Sequence, residues 1–572
     1  MALDATKAPT TPHPRRFPLA TPLRLGRPSG IWFKPALSVV ASVAPPNLTL
    51  LALGRLDLAM YTMAGSLCAL YAHNRPYAAR ARTLALVILG MVGGLAVALL
   101  AASLTTGAVV LVTVGALLAA AQKALCDATR IGPPGNVVLT FISSASLFAP
   151  QTLAQIPGHL ALALAAGVWA WLVGMAPGLL RPHGPERRAT AQALNAAAAY
   201  AEAHGGDGRP HSRTAAHAET EDSDPHPHPR HRAAAAAAIQ AAWQTLLAAR
   251  DPRTRRALER LVVRAEVALA APADTDPERL RAWARELTGT GPLPQVHDPA
   301  AADELLGADA ELAAPARPLW QRLGPLTPIA VRTALGCALA GYASLALGIG
   351  RPYWALVTAA SLYQANLALT WSRGIQRVVG NLLGVLLFAA VVPLAHVSQV
   401  LLVLLCLAFN FGAEALMGRN YWLGSVCVTP MALLITEFAR TQQPGQLITE
   451  RVVDTLVGAL VGFLAAVVVT NRRSGDRVEH ALTAVEGAHE RTARLLAEPA
   501  PVPTALESAR RSLAAALADL RATVDAASGE WWQRALPQER VVRAEQAAHR
   551  TLAATARRQG LHRSTSVEGI RP

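Results

Sequence analysis

Two neighbouring stretches, VVGNLLGVLLFAAVVPLA (Val378–Ala395) and QVLLVLLCLAFNFGAEALM (Gln399–Met417), contain a single charged residue, Glu414. A helix needs about 20 predominantly apolar residues to cross the roughly 30 Å hydrocarbon core of a bilayer. Both stretches come close to that length, and only three residues separate them. The pair therefore predicts two consecutive membrane-spanning helices.

The whole chain has the composition of a membrane protein. Of its 572 residues, 52% are hydrophobic and 16% are charged, and the mean hydropathy is +0.28. Soluble domains carry about 25% charged residues. The formal net charge is +15, but Lys and Arg are spread over tails and loops without interleaved aromatic residues, so nucleic acid is not expected as a partner. The expected environment is the lipid bilayer.

Motifs for catalysis, cofactors and metals are not expected from the sequence. The five cysteines include no CxxC pair, which argues against a disulfide framework or a zinc site. The chain contains no GxxxxGK[ST] loop for ATP. No paired carboxylates or Ser/His/Asp set suggest hydrolysis. We therefore expect neither an enzyme nor a bound cofactor or metal.

Apolar runs long enough to cross the membrane occur in two groups of six. Their approximate limits are 32–53, 57–73, 83–102, 104–122, 134–152 and 159–180, then 329–348, 353–369, 378–395, 399–417, 421–438 and 452–470. With a cytoplasmic N-terminus, eight Lys/Arg fall in inside loops and four in outside loops, which agrees with the positive-inside rule. The inside set is Arg75, Arg80, Arg82, Lys123, Arg130, Arg373, Arg377 and Arg419, and the outside set is Arg55, Arg351, Arg440 and Arg451.

The two groups resemble each other. A shift of 296 positions aligns residues 53–72 with 349–368 and matches Gly54 with Gly350 and Thr62 with Thr358. Because both groups would start inside, they form a parallel repeat about an axis along the membrane normal. The predicted fold is an all-α polytopic membrane protein with two parallel six-helix transmembrane repeats and a cytoplasmic helical bundle.

The hydrophilic regions are predicted to be cytoplasmic and helical. Ala233–Ala271 reads as one helix, and Val478–Glu498, Thr504–Ala527 and Glu530–Ala556 carry similar Ala/Leu stripes. The Pro- and His-rich residues 204–232 indicate a flexible linker, with metal binding as a weaker alternative. The Ala-rich helices also suggest a possible homodimer. The predicted domains are an N-terminal tail (1–31), the first repeat (32–181), a helical region (182–326), the second repeat (327–471) and a C-terminal helical region (472–572).

Charged residues inside apolar helices cost about 2.5 to 3.5 kcal/mol on insertion scales, so each one needs a reason. Arg332 either reaches the cytoplasmic interface or lines a path for an anion. For Glu414, a local ion pair with Arg419 is the simpler explanation.

Three acids are considered for proton transfer. Asp454 and Glu437 are our candidates for proton coupling, although Glu437 and Arg440 also fit an interfacial pair at the outer end of their helix. Asp454 and Asp57 each come early in a predicted span. Capping of a helix N-terminus is therefore the alternative for both.

Uncharged polar residues cluster in the second repeat. Interhelical hydrogen bonds worth about 0.6 kcal/mol each would explain any one of them. As a set on neighbouring helices they could donate to a carboxylate. The candidates for a substrate path are Arg332, Thr358, Tyr363, Asn366, Asn381 and Asn410.

The second repeat resembles the fusaric acid resistance protein family, also described as aromatic acid exporters. The resemblance lies in Arg351–Leu387, Asn420–Glu437 and Glu450–Gly462. The first repeat keeps only the general shape. The matching motif residues are Tyr353, Trp354, Ala355, Thr358, Arg377, Gly380, Gly384, Thr429, Pro430, Arg451, Asp454, Thr455 and Gly458. From sequence alone, Arg351, Tyr353 and Trp354 are expected at the outer interface, and the two glycines are expected to permit close helix packing.

The resemblance implies a multi-pass protein of the bacterial inner membrane with both termini cytoplasmic. It implies export of aromatic or other organic carboxylates, driven by the proton gradient, so a small organic anion is the expected substrate. Plant aluminium-activated malate channels look like distant relatives, and a passive organic-anion channel is the first alternative. A non-transporting membrane scaffold is the second.

Overall fold

The structure is a computed structural model. It describes residues 21–25, 32–206, 228–270, 272–289, 291–295, 322–364, 366–438, 442–469, 474–499, 501–527 and 537–568. Throughout these residues the regular structure is helical, without a strand. The predicted all-α class is confirmed.

Twelve apolar helices form the two halves of the described membrane region. The first half contains α1 (Phe33–Ala52), α2 (Leu56–Leu70), α3 (Tyr77–Leu104), α4 (Ala108–Thr129), α5 (Val137–Leu147) and α6 (Leu153–Leu180). After four hydrophilic helices, α7 (Gly184–Gly206), α8 (His228–Leu247), α9 (Pro252–Ala270) and α10 (Pro277–Thr288), comes the second half. It contains α11 (Thr327–Ala346), α12 (Tyr353–Leu362), α13 (Leu367–Ala395), α14 (Gln399–Met417), α15 (Tyr421–Thr436) and α16 (Pro444–Val468).

Eight of these twelve helices are long and apolar enough to cross a membrane, and α2, α5, α12 and α15 are shorter. The ten residues of α12 span only about 15 Å at 1.5 Å per residue. All ten are buried inside the protein. The predicted span 353–369 is therefore wrong in its extent, because the helix ends at Leu362 and α13 begins at Leu367. Asn366 marks the new start, since its side chain accepts a hydrogen bond from the Leu369 amide.

The same helix pairings occur in both halves. The second helix packs on the sixth, and the third packs on the fifth and the sixth. Between the halves, α1 packs on α14 and α4 packs on α11. In each of these pairs, the first helix of one half packs on the fourth helix of the other. This arrangement agrees with a repeat, while the parallel orientation in a membrane stays a prediction.

The register of the predicted repeat needs a correction. The first helices of the halves begin at Phe33 and Thr327, 294 positions apart. The glycines that follow them with positive φ, Gly54 at 66° and Gly348 at 71°, are also 294 positions apart. Gly54 thus corresponds to Gly348, and the shift of 296 that matched it with Gly350 is wrong. A left-handed backbone conformation after the helix makes glycine the preferred residue there.

The hydrophilic helices form two groups, each with its own apolar core. Helices α7 to α10 enclose one core, and α17 (Ser474–Ala497), α18 (Pro503–Ala527) and α19 (Gln538–Glu568) enclose the other. The predicted single helix from Ala233 to Ala271 is wrong. It is interrupted before Pro252, where Asp251 accepts hydrogen bonds from the next backbone amides and starts α9. Residues 207–227 of the predicted linker lie outside the described residues, as do residues 528–536.

A short N-terminal segment, residues 21–25, lies against the second half. We call it the N-terminal strap. The Pro22 carbonyl accepts hydrogen bonds from Gln376 (2.8 Å) and Asn420 (2.9 Å). Asn420 also donates to the Arg24 carbonyl at 2.8 Å, and the indole of Trp422 donates to the carbonyl of Leu23 at 3.2 Å. The strap is therefore fixed through its backbone to the N-terminal half of α13 and to the start of α15.

Candidate functional site

A cavity of about 1800 Å³ lies between the two halves and extends to the hydrophilic helices α7 and α8. Its lining is strongly cationic, with eleven Lys and Arg side chains against the two acids Asp127 and Glu414. One of the eleven cations, Lys123, pairs with Asp127 at 3.0 Å. Like charges concentrated in a cleft of low dielectric attract counter-ions of the opposite sign. The cavity is thus a place where an anion is stabilised.

Two buried guanidinium groups in the cavity wall form its innermost part. Arg377 on α13 is 4% exposed, and Arg451 on α16 is 1% exposed. They are close enough for the charge of Arg377 to act on Arg451. The Nε of Arg377 and both Nε and Nη1 of Arg451 have no hydrogen-bond partner. Among the described residues no carboxylate oxygen lies within 4.0 Å of either group, so neither cation forms an ion pair, and the charge of Asp454 acts on Arg451 from beyond that distance.

A network of uncharged side chains holds Arg451 in position. Its Nη2 donates to Asn381 Oδ1 at 3.3 Å, and the Thr429 hydroxyl donates to the same oxygen at 2.6 Å. The amide nitrogen of Asn381 donates to the Thr455 hydroxyl at 3.2 Å. Arg377 is held separately, by a 3.0 Å hydrogen bond to the phenol of Tyr421. Neutral partners position both guanidinium groups and leave their charge uncompensated.

Aromatic rings form the wall beside the two arginines. The guanidinium of Arg451 lies 4.1 Å from the ring centre of Trp354, and Trp354 stacks on Phe141 of the first half at 5.5 Å. The expectation that Tyr353 and Trp354 lie at the outer interface is wrong. Both rings are buried in the core of the protein, where Tyr353 stacks on Phe148. Both rings therefore pack across the interface between the two halves.

The structure brings together part of the predicted substrate path. Arg332, Tyr363 and Asn410 line the cavity. Arg332 also donates two hydrogen bonds to the Val469 carbonyl at the end of α16, at 2.7 and 3.1 Å, so it closes a helix terminus while lining the path. The Tyr363 phenol donates to the Gly462 carbonyl at 3.1 Å. Asn410 uses its amide nitrogen within its own helix, on the Cys406 carbonyl.

The other predicted path residues have structural positions. Asn366 starts α13, and Asn381 belongs to the network around Arg451. Thr358 is fully buried at the close contact of α12 with α16, where a Cβ added to Gly458 would lie 2.8 Å from its Cβ. None of these three side chains lines the cavity. Their contacts are within and between the helices that form the cavity wall.

The two acids for which capping was the alternative differ in position, since Asp57 lies in the first turn of α2 and Asp454 does not lie in a first turn. Asp454 lies in the interior of α16, three residues after Arg451, and is fully buried. Its Oδ1 accepts a 2.6 Å hydrogen bond from Ser344 of α11, and its Oδ2 has no partner. The capping alternative for Asp454 is therefore wrong. Asp57, the other acid considered for capping, forms an exposed pair with Arg55 at 3.1 Å.

One of two further ion-pair expectations needs correction, and the pair of Glu437 with Arg440 stays a prediction. Glu437 pairs with His396 at 2.6 Å, while Arg440 lies outside the described residues. Glu414 lines the cavity, and the expected pair with Arg419 does not form within 4.0 Å. Glu414 is the one cavity-lining acid in the described residues that has no basic partner at that distance.

The motif glycines make close helix contacts, as expected from the sequence. A Cβ added to Gly380 would lie 2.5 Å from the Ser425 Cβ, and one added to Gly384 would lie 2.6 Å from the Thr429 Cβ. Both contacts join α13 to α15, and Pro430 follows Thr429 within α15. Close approach of these helices places Thr429 within reach of Asn381. The glycines thus have a part in positioning Arg451.

Sequence reasoning missed the most important residue. Arg451 was assigned to an outside loop, and Arg80, Arg373 and Arg377 to inside loops, whereas all four lie within helices. The available signal was the stretch ERVVDTLVG (Glu450–Gly458), where three charges occur within five residues at the start of an apolar run. Charges inside an apolar helix indicate a functional site by default.

These features define a polytopic helical membrane protein with an internal cationic cavity. Residues 338–465 match the family described as "Fusaric acid resistance protein-like", and the chain carries a domain of this family. The match confirms the resemblance seen in the sequence.

A curated relative supports the membrane class. The "Uncharacterized membrane protein YvaC" of Bacillus subtilis (strain 168) is 30% identical over 141 residues. The aligned part is 24% of this chain and 22% of YvaC, so the match spans about a fifth of that relative. No solved structure gives a significant match.

Proposed function

We propose that this chain exports organic carboxylates, aromatic ones included, across the bacterial inner membrane in a proton-coupled manner. The observation that carries the proposal is the pair Arg377 and Arg451, buried in the cavity wall without a carboxylate partner among the described residues. Burying an unpaired charge costs several kcal/mol, and a bound anion removes most of that cost. A substrate carboxylate is the missing partner.

The free donors match a carboxylate better than a monatomic anion. Arginine presents its N–H groups in a planar fork that fits two carboxylate oxygens. The fork of Arg451 retains Nε and Nη1 as free donors while Nη2 is fixed on Asn381. Trp354 and Phe141 line the cavity beside it. An aromatic ring attached to the carboxylate therefore has apolar surface to contact.

Proton coupling is assigned to Asp454, with Glu437 as a second acid nearer the end of its helix. When Asp454 is ionised, its charge three residues from Arg451 competes with the substrate for that cation. When Asp454 is protonated, this competition ends, and Arg451 is available to bind the substrate carboxylate. Proton and carboxylate therefore bind together, so export runs down the outward gradient of the undissociated acid, and an acidic exterior slows it.

Flux measurements on proteoliposomes test this function. Benzoate efflux is measured with a pH gradient and without one, in liposomes with the full chain and in protein-free liposomes. We expect protein-dependent efflux that changes with the pH gradient. A gradient-independent anion current would support the channel alternative, which the large cationic cavity also fits. If neither is observed, the scaffold alternative is favoured.

The orientation of the chain is part of the proposal. We place both termini and both groups of hydrophilic helices in the cytoplasm. Support comes from the cavity, which extends to α7 and α8 and therefore faces the side from which an exported substrate arrives. A cysteine introduced at the exposed Arg477 should react with a membrane-impermeant maleimide only after cells are opened. A homodimer remains a prediction from the Ala-rich helices.

A further inference from the structure

The first half and helix α7 together contribute a second cation cluster to the cavity, formed by residues other than Arg377 and Arg451. Lys34 of α1, Arg80 of α3 and Arg188 of α7 all line it. The charges of Arg80, Arg188 and the neighbouring Arg181 act on Lys34. Three helices thus bring positive charges together at the part of the cavity next to the hydrophilic helices.

Arg80 is the buried centre of this cluster. It is 4% exposed, and its Nε has no hydrogen-bond partner. Its Nη2 donates to the Nδ1 of His73 at 3.1 Å. Burial, together with the charge of Arg80, lowers the pKa of His73 to about 3. The imidazole is therefore neutral at physiological pH, and it holds the guanidinium without cancelling its charge.

The cluster has no anionic partner in the described part of the chain. No Asp or Glu oxygen of the described residues lies within 4.0 Å of Lys34, Arg80 or Arg188. The charges of Arg80 and Arg188 act on Tyr77, and so does the charge of one acid, Glu186. Mutual repulsion of three partly or fully buried cations destabilises the cluster unless an anion occupies it.

We propose that Lys34, Arg80 and Arg188 form a second oxyanion-binding station of the cavity, which holds an anion before it reaches Arg377 and Arg451. The inference rests on the proposed function, because it treats the cavity as an anion path. The ligand is an oxyanion group, from either of two sources. One is the free carboxylate of the substrate, and the other is the phosphate of an anionic lipid.

Binding stoichiometry tests the station. The full chain is placed in nanodiscs of phosphatidylcholine alone, and binding of 1-naphthoate is measured by equilibrium dialysis. We expect two molecules per chain for the wild type and one for the double variant K34Q/R188Q. The matched control is R82Q/R419Q, which removes two exposed cations that do not line the cavity. It should keep both molecules.

The variants also separate this proposal from the proposed function. R451Q should lose the other bound molecule and keep the one at the station. Two bound molecules in K34Q/R188Q would overturn the station and leave the role of Arg451 intact. Absence of benzoate flux from the wild type would overturn the proposed function, while the station is judged by dialysis alone.

A second binding measurement, with an anionic lipid in the nanodisc, distinguishes the free carboxylate from the lipid phosphate. In nanodiscs that contain phosphatidylglycerol, a free-carboxylate station still binds two molecules of 1-naphthoate. If binding falls to one, and phosphatidylglycerol co-purifies with the wild type but not with K34Q/R188Q, the occupant is the lipid phosphate at the same residues. If phosphatidylglycerol neither lowers 1-naphthoate binding nor co-purifies with the wild type, and K34Q/R188Q binds as many molecules as the wild type, the station does not exist.

Discussion

Replacing Arg451 by glutamine removes the most deeply buried cation of the cavity while keeping much of its volume. Arg451 has two free donors, Nε and Nη1, directed at no group of the described protein. A hydrogen bond to a charged group contributes about 1.5 to 3 kcal/mol. At 1.4 kcal/mol for each factor of ten, R451Q should weaken carboxylate binding about 10- to 100-fold.

The same variant has an unusual expected effect on stability. The wild type keeps a guanidinium buried without an ion-paired carboxylate, and this lowers the free energy of unfolding. R451Q loses the contact with Trp354, worth about 0.5 to 2 kcal/mol, but it also relieves this cost. We therefore expect the Tm of the empty protein to be unchanged or raised. Sites kept for binding often reduce stability in this way.

Two assays in parallel check both effects. Benzoate affinity is taken from the concentration dependence of efflux, and Tm is measured in detergent without substrate. R451K keeps the charge but loses the planar fork, so its benzoate affinity should lie between those of the wild type and R451Q. A large fall in Tm with unchanged affinity would refute the reasoning, because Arg451 would then be a structural residue.

Four other substitutions test separate parts of the molecule. D454N should remove the dependence of benzoate efflux on the pH gradient while efflux itself persists, and unchanged gradient dependence would exclude Asp454 as the coupling acid. G384A should lower Tm, because the added Cβ overpacks α13 against α15 at a cost of about 1 to 3 kcal/mol. The control G374A should have little effect on Tm, because its added Cβ would lie 3.8 Å from the nearest neighbouring atom. N420A removes two hydrogen bonds to the N-terminal strap, so trypsin should cleave the strap faster, and an unchanged rate would show that the strap is held otherwise. Burial raises the pKa of the Glu186 carboxyl, so the folded protein loses stability as pH rises through that pKa. E186Q should therefore raise Tm at pH 8, and the gain should vanish near pH 3, well below the unperturbed pKa of about 4.3, where both states are protonated. A gain that is independent of pH would contradict this.

Hydropathy predicted the helices that face lipid more accurately than those that do not. The long helices α3 and α13 correspond to predicted spans 83–102 and 378–395, with extra turns at their N-terminal ends. By contrast, all ten residues of α12 are buried, and the predicted span 353–369 continues past the end of the helix at Leu362 through the polar residues Gln364 and Asn366. A run buried in protein and a run crossing lipid have the same composition.

The candidate site could be predicted only in part. Asn381 is predicted as a path residue, whereas Arg377 and Arg451 appear only as motif residues, because their place in the cavity depends on their neighbours. Counting Lys and Arg in loops assumes that cations near a helix end lie in water. Arg451 violates that assumption because α16 begins at Pro444, two turns before it. Phe141 comes from the first half, so its place beside Trp354 depends on how the halves pack and could not be read from either repeat alone.

Cryo-electron microscopy of the full chain in nanodiscs with 4-iodobenzoate tests the central claim most directly. We predict density for the carboxylate beside the free donors of Arg451, with the iodine in the cavity next to Trp354. Iodine density confined to the outer, lipid-facing surface, with the space beside Arg377 and Arg451 filled only by water, would contradict it.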